Sequence, residues 1–441
     1  MNKPVLVIAG PVATRSGYGA RTRDIAIELI DSDKYDVRII SLPWGSTPQT
    51  ALNDDSEIST KIKNRLIEPQ MNQRPDIFVQ VTVPNEFQSL GNYNIGITAG
   101  IETTAPPGEW IEGCNKMDLV LVSSKHSKDV FESAIFDKID EKTGNRQTNI
   151  KITTPIEVLF EGFNDNIYKR INVATNNSDI VSTLNSIKES DCYLFVGHWL
   201  PGGLGEDRKD VGMLIKTFCE AFKRKPRNKR PGLILKTSAG TNSQMDFHLV
   251  KQKINDILKP YGDSAVSVYL IHGDLSDDEM NVLYNHTKVK AMVSITHGEG
   301  FGRPLLEFSA VGKPVIVSGW SGHLDFCKNV TLLPGQLIDV PPGAQNNFII
   351  NGTKWFAVSY PYVAQILNDC LDNYKKYTDL AKKQKEYVSR NFTLSEMGKK
   401  LVEYIDNKPE NKLKLPKLKK VSEETQPKQI KLPKLKKITN E

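Results

Sequence analysis

The sequence lacks the long hydrophobic runs, the signal-peptide pattern and the paired cysteines that mark membrane-spanning or secreted proteins. No apolar run approaches the roughly 20 residues needed to cross a bilayer, and the N-terminal MNKPVLVIAG leads directly into a predicted strand. The five cysteines in 441 residues have no paired spacing, so neither a zinc site nor a disulfide framework is predicted. We therefore expect reduced thiols and a cytoplasmic protein, in the host cytoplasm if the chain is viral.

Positive charge is concentrated at the C-terminal end. The net formal charge is +6, but from Lys408 to Glu441 eleven lysines stand against four glutamates, a net of +7, which leaves about −1 for residues 1–407. The segment 408–441 contains KLPKLKK twice, and proline and unbalanced lysines predict a disordered tail. Nucleic acid is a candidate partner for Lys408 to Lys437; a solubilising tail without a partner is the alternative.

Residues 291–307 read as a buried strand, a glycine loop and a short helix. AMVSIT is apolar and β-branched, Pro304 suits the first helical position, and Gly312 suits the residue that ends the helix. The helix start directs free N–H groups into the loop, which favours an anion. Glu299 and Glu307 would stand on the order of 10 Å apart, which is too far for a shared proton and suits binding hydroxyls at two ends of one elongated ligand.

These residues resemble the donor-site motif of retaining glycosyltransferases of the GT-B fold, family 4 (glycosyl transferases group 1). The resemblance rests on Glu-x7-Glu with an internal Gly-Phe-Gly, followed by Gly-Lys-Pro-Val. It implies an α/β protein with two Rossmann-like doubly wound domains facing a cleft. It also implies that Glu299 contacts hydroxyls of the transferred sugar, Glu307 holds the nucleotide ribose, and Gly300, Phe301 and Gly302 form the donor loop.

A second glycine loop lies near the N-terminus. Residues 4–9 form a predicted strand, residues 10–19 a loop and residues 20–30 a helix, which is the opening unit of a doubly wound domain. The loop is not Gly-x-Gly-x-x-Gly, so a nicotinamide enzyme is poorly supported. The resemblance assigns Gly17 and Gly19 to the acceptor and donor-phosphate side of the cleft.

The loop after the strand at 192–197 carries candidate phosphate ligands. Arg208 and Lys209 resemble the Arg-Lys-Gly element of the family, in which the lysine neutralises the donor diphosphate. Relatives commonly have an arginine directly after the strand glycine, where this chain has His198. The resemblance also brings the backbone around His272 against the nucleotide base, and such contacts leave the base unidentified.

The acceptor side offers one candidate catalytic carboxylate, Glu102, which follows the strand at 95–98; a capping or surface role is the alternative. Relatives are thought to react by front-face attack, with the donor phosphate helping to accept the acceptor's proton. Asp31 and Asp33 form the only Asp-x-Asp and suit a turn. No metal and no cofactor are therefore expected beyond the nucleotide-diphosphate sugar, which is a co-substrate.

The predicted organisation is an acceptor-side domain at 1–165, a nucleotide-sugar-binding domain at 166–390, a helix at 391–407 that returns to the first domain, and the tail. The predicted function is metal-independent transfer of a hexose or pentose to a hydroxyl, with the catalytic set Glu299, Lys209 and Glu102. The acceptor class stays open between glycan, lipid and modified DNA. A hydroxylated base in a phage-like setting would have to be flipped to reach the cleft. The other alternative is a non-catalytic protein of the same fold that docks through its tail.

Overall fold

Two six-stranded parallel sheets organise the computed structural model, which describes residues 3–69, 73–139, 144–173 and 178–408. Within these residues the strands are β1 (Val5–Gly10), β2 (Asp36–Ser41), β3 (Ile77–Val81), β4 (Tyr93–Thr98), β5 (Leu119–Val122), β6 (Phe136–Ile139), β7 (Arg146–Ile150), β8 (Ile156–Val158), β9 (Cys192–Val196), β10 (Gly232–Lys236), β11 (Val268–Ile271), β12 (Val289–Ser294), β13 (Val315–Ser318), β14 (Thr331–Leu333), β15 (Gly335–Asp339) and β16 (Lys354–Val358).

The helices of the same residues are α1 (Gly17–Asp31), α2 (Glu57–Lys63), α3 (Gly108–Cys114), α4 (Lys125–Ser133), α5 (Asp179–Asn185), α6 (Val211–Phe222), α7 (Gln244–Leu258), α8 (Asp277–Asn285), α9 (Arg303–Ala310), α10 (Tyr360–Asp372), α11 (Tyr374–Asn391) and α12 (Leu394–Asp406). No helix among them is long and apolar enough to cross a membrane.

The strand order of each sheet places a crevice at the carboxyl ends of its central strands. The first sheet has the order β2-β1-β3-β4-β5-β8 and the second β11-β10-β9-β12-β13-β14, with parallel pairing throughout both. The order reverses beside β1 in the first sheet and between β9 and β12 in the second. Ligands of doubly wound sheets bind outside the strands at such reversal points, so each domain has a crevice there.

Alternate residues of the central strands supply the cores on the two faces of each sheet. In β9, Cys192 and Leu194 pack in one apolar cluster, while Tyr193 and Phe195 pack in the cluster on the opposite face. Burial on both faces explains the almost uninterrupted apolar sequence of these strands. The five cysteines all lie in described residues, where they are buried and unpaired.

The chain returns to the first domain at its C-terminal end. Helix α11 contributes Val388 to a core cluster of the second domain, whereas α12 contributes Leu401 to the cluster beneath β1 and α1. At the crossing, Phe163 N–H donates to Phe392 O over 3.0 Å, and Leu394 N–H donates to Phe163 O over 2.9 Å. These bonds join the two passages of the chain between the domains.

Two helix starts are set by local features of the chain, and the first differs from the position expected from sequence. Helix α1 begins at Gly17 and not near residue 20, because the Ser16 hydroxyl accepts a hydrogen bond from Gly19 N–H over 3.0 Å and caps the first turn. Gly17 and Gly19 are therefore helical. Helix α6 begins only at Val211, after Asp210 in the left-handed region with φ of 53°. The tail predicted at 408–441 lies outside the described residues, apart from Lys408.

Candidate active site in the interdomain cleft

A cavity of about 420 Å³ lies where the carboxyl ends of the second sheet face the first domain. Its walls come from the loops after β9, β10 and β12, from the start of α9, and from Gly17 of the first domain. The side chains that matter for charge are His198, Arg208, Lys209, Lys236, Asp274 and Glu299. Loops at the ends of strands from two domains thus converge on one site.

Glu299 forms the centre of a charge network in this cavity. Its carboxylate accepts a short hydrogen bond from Lys209 Nζ, and its other oxygen lies 3.6 Å from a guanidinium nitrogen of Arg208. The Glu299 side chain is 10% exposed. Burial alone would raise the pKa of this carboxyl, but the charges of Lys209 and Arg208 outweigh burial and hold the pKa below its usual value. Glu299 is therefore ionised at neutral pH.

Glu102 reaches the same network from the first domain. Its carboxylate lies 3.4 Å from Arg208, and the Arg208 guanidinium also donates to Gly298 O over 2.7 Å. The loop after Glu102 is held by β16, since Thr104 N–H donates to Lys354 O over 3.0 Å and Lys354 N–H donates to the Thr104 hydroxyl over 2.9 Å. The three residues predicted as catalytic, Glu299, Lys209 and Glu102, thus lie in one cluster joined by Arg208.

Glu307 belongs to a separate network on α9. It accepts hydrogen bonds from Arg303 over 2.9 Å and from the Tyr284 hydroxyl over 3.3 Å. Arg303 also donates to Asp24 of α1 over 2.5 Å, so one guanidinium joins Glu307 to the first domain. Burial raises the pKa of Glu307 to about 7, and the charge of Arg303 opposes this rise. The carboxylate predicted for ribose thus forms an ion pair with Arg303.

The glycines after β12 allow the two domains to approach each other. A Cβ on Gly298 would overlap Glu102 O, and a Cβ on Gly300 would overlap Ala99 O. Gly302 precedes α9 with φ of 94°, a conformation that favours glycine. Helix α9 begins at the cavity, where Pro304 has no N–H and the N–H groups of Leu305 and Leu306 donate to Gly302 O, which leaves the Arg303 N–H of the first turn for an anion.

Four predicted donor-site residues do not present side chains to the cavity. Phe301 is buried, with its ring centroid 5.1 Å from that of Phe326, so it packs in the core of the second domain. His272 Nε2 forms a 2.8 Å hydrogen bond with Asp246 and lines a neighbouring cavity. Gly19 faces away from the cavity and lies against the preceding loop, since a Cβ added at this position would overlap Thr14 O. Gly300 lies at the contact with the first domain.

A layer of buried polar residues supports the loop that carries Arg208 and Lys209. Asp207 and Asp210 are fully buried, and burial raises their pKa values to about 6 and about 7. The Tyr360 hydroxyl donates to Asp210 over 2.7 Å, and His297 N–H donates to Arg208 O over 2.8 Å. These contacts fix the backbone on both sides of the two cations.

Sequence reasoning missed Lys236, Asp24 and Tyr284 as site residues, and it considered Arg303 only as the start of a helix. Lys236 carried a usable signal, because it directly follows the apolar run 233–235, and ligands of doubly wound sheets bind at the ends of such strands. Asp24 carried none, since its partner Arg303 is 279 residues away in sequence. Among the described residues no group of three or more His, Cys, Asp or Glu side chains could hold a metal ion.

No protein-family model matches the chain, and no curated protein matches it in sequence. Solved structures do match it. A sucrose-phosphate synthase from Thermosynechococcus elongatus is 14% identical, with a TM-score of 0.59 over 92% of this chain and 98% of that one. The Anabaena protein HepE in complex with UDP and glucose is 14% identical, with a TM-score of 0.57 over 91% and 99%.

A trehalose-6-phosphate synthase from Burkholderia multivorans is 9% identical, with a TM-score of 0.58 over 92% and 98% of the two chains. Similarity at this level of identity concerns the fold. Together with the two parallel sheets facing a cleft, it confirms the predicted fold class: the described residues of this chain have the GT-B fold.

Proposed function

We propose that this protein is a glycosyltransferase that moves a hexose or pentose from a nucleotide-diphosphate sugar to an acceptor hydroxyl, with retention of configuration. The observation that carries the proposal is the cavity between the domains, where Arg208, Lys209 and the start of α9 surround Glu299. Cations and helix N–H groups stabilise the negative charge that develops on a leaving diphosphate. The Anabaena structure that contains UDP and glucose supports a ligand of this class.

Different residues of the site would bind different parts of the donor. Lys209 and Arg208 would bind the diphosphate, Glu307 the ribose hydroxyls, and Glu299 the hydroxyls of the sugar. Binding of the ribose by Glu307 requires Arg303 to share or release the carboxylate, since Arg303 Nε donates to it over 2.9 Å. The backbone near His272 would face the base.

The chemical step needs few protein groups. The acceptor oxygen attacks the anomeric carbon from the side of the leaving group, and the bond from that carbon to the phosphate oxygen breaks. The electron pair of that bond stays on the diphosphate, whose oxygen takes the acceptor's proton. Glu102 would orient the acceptor, because it reaches the cavity from the first domain and lies 3.4 Å from Arg208. No metal is assigned a role in this scheme.

The test is release of nucleoside diphosphate from a panel of nucleotide sugars, with and without DNA as acceptor. We expect release with one donor, loss of release in Lys209→Ala, and no loss in Lys216→Ala, whose side chain is exposed on α6. We expect activity to survive excess chelator. Loss of activity in chelator with recovery in manganese or magnesium would contradict metal independence, and full activity in a Glu299→Ala, Glu307→Ala double variant would contradict the site.

The non-catalytic alternative makes a different forecast from the same assay. A protein that only binds nucleotide sugars would show affinity for the nucleotide without release from any donor. Acceptor class and the cytoplasmic location stay proposals: glycans, lipids and modified DNA are the acceptors to compare. A dependence of transfer on DNA would favour a modified base as the acceptor. Transfer to a small glycan without DNA would favour a glycan acceptor.

A further inference from the structure

Lys236 is a third cation of the cleft that the predicted donor site does not include. It ends β10, which lies beside β9 with Lys236 paired to Val196, so its backbone stands at the carboxyl edge of the second sheet. Its side chain lines the same cavity as Arg208 and Lys209. The Lys236 ammonium donates to Gly273 O over 2.6 Å.

Lys236 has no carboxylate within ion-pair distance among the described residues, whereas Arg208 and Lys209 each have one. Lys209 is paired with Glu299, and Arg208 lies 3.4 Å from Glu102. Among the described residues, no carboxylate oxygen lies within 4.0 Å of Lys236 Nζ. Burial lowers the pKa of Lys236, and the charge of Asp274, which lines the same cavity beyond ion-pair distance, opposes this shift. An anion entering the cavity would form the close ionic contact that Asp274 does not make.

The adjacent histidine does not provide a positive charge at this position. His198 follows β9 and its Nδ1 lies 3.1 Å from the Ser238 hydroxyl. Burial lowers the pKa of His198, and the nearby charges of Lys209 and Lys236 lower it further. His198 is therefore neutral at neutral pH, and the positive charge beside it comes from Lys209 and Lys236.

We propose that Lys236 binds the diphosphate of the nucleotide donor from the end of β10, together with Lys209. The inference rests on the proposed function, because it takes the anion to be a nucleoside diphosphate. It assigns to the second sheet a phosphate contact from β10 in addition to those from the loops after β9 and β12. The bond to Gly273 O holds the ammonium in the unliganded protein and is released or shared when the anion binds.

The experiment compares binding of a nucleoside diphosphate, the matching monophosphate and the free nucleoside by calorimetry. The base is the one whose nucleotide sugar the wild-type protein turns over. We expect Lys236→Gln to weaken diphosphate binding by about tenfold or more, since hydrogen bonds between charged groups are the stronger ones. Binding of the nucleoside should change little. Lys236→Arg should keep most of the affinity, and Lys216→Gln, on the exposed face of α6, should match the wild type.

The outcomes separate this inference from the proposed function. Failure of the wild-type protein to bind any nucleoside diphosphate would overturn the proposed function. Wild-type binding that is unchanged in Lys236→Gln would overturn the role of Lys236 alone. An equal loss of affinity for the diphosphate and the nucleoside would overturn the diphosphate contact in favour of a contact to the base near Gly273. Thermal unfolding of each variant, with a midpoint like that of the wild type, shows that a loss of affinity is not a loss of fold.

Discussion

Replacing Glu299 by glutamine should make the protein bind a free nucleoside diphosphate more tightly while it turns over donor more slowly. The Glu299 carboxylate pairs with Lys209 and Arg208, the two cations assigned to the diphosphate. The amide removes this charge and leaves the shape almost unchanged. A diphosphate can then bind Lys209 and Arg208 without first breaking their ion pairs with Glu299.

The size of the effect follows from the burial of the cluster. Side chains of Glu299, Arg208 and Lys209 are 10%, 15% and 16% exposed. Removing one partner of a fully buried ion pair costs about 3–5 kcal/mol. Arg208 keeps Glu102, and the cavity is open to water, so we take about 1.5 kcal/mol for the unliganded variant. Because the diphosphate relieves this cost, we expect about tenfold tighter binding. Turnover should fall by about tenfold or more, since a charged acceptor for the sugar hydroxyls is lost.

Calorimetry with the nucleoside diphosphate and initial rates with the full donor measure the two halves of this prediction. The diphosphate should also raise the unfolding temperature of Glu299→Gln more than that of the wild type, because binding stabilises the folded state according to affinity. The matched control is Lys209→Ala, which should lose diphosphate affinity. Weaker diphosphate binding by Glu299→Gln would refute the assignment of Lys209 and Arg208 to the phosphates.

Three further changes probe other parts of the chain. Asp24→Asn should weaken the bond from Arg303 to α1, so that Arg303 pairs more strongly with Glu307 and competes with the ribose. We expect the donor KM to rise by about fivefold, or about 1 kcal/mol, with kcat nearly unchanged. An unchanged KM in steady-state kinetics would contradict this competition between Arg303 and the ribose. Burial lowers the pKa of Lys313 to about 6, below the unfolded value of about 10.4. The unfolded chain therefore binds more protons between these values, and stability should rise with pH by up to about 1.4 kcal/mol per unit. Between pH 7 and pH 9 the unfolding temperature of the wild type should therefore rise relative to that of Lys313→Met. The same dependence of unfolding temperature on pH in both proteins would contradict this prediction. Truncation after Asn407 should leave donor hydrolysis intact but weaken DNA binding and its salt dependence, whereas equally weak binding by both forms would favour a solubilising tail.

The second domain was largely predictable because its signals are local. A buried strand, a glycine loop and a helix start follow one another within residues 291–307, and the structure has β12 and α9 there. The sequence Ser276-x-x-Glu279 has the form of a capping box, and both of its hydrogen bonds are present. The grouping of Glu299 with Lys209 was implied by the resemblance to the donor-site motif of the family.

The contacts between the domains were not predictable in the same way. The Glu102–Arg208 and Asp24–Arg303 pairs join residues far apart in sequence, and no periodic pattern encodes such a pair. The position of Lys236 was readable, but its lack of a carboxylate partner depends on the folding of neighbouring loops. The charge state of His198 depends likewise on burial and on two lysines from other elements.

The glycines at 298 and 300 also determine how closely the loop after β12 approaches the first domain. Each leaves room for one backbone carbonyl of the first domain and for nothing larger, because an added methyl group would overlap Glu102 O or Ala99 O. A methyl group at either position would therefore push the loop that carries Ala99 and Glu102 away from the loop after β12. Because the Glu102 carboxylate lies 3.4 Å from Arg208, and Arg208 also donates to Gly298 O, the same change would disturb the charge network of the site. The spacing of the two domains and the arrangement of the charges are thus coupled at these two glycines.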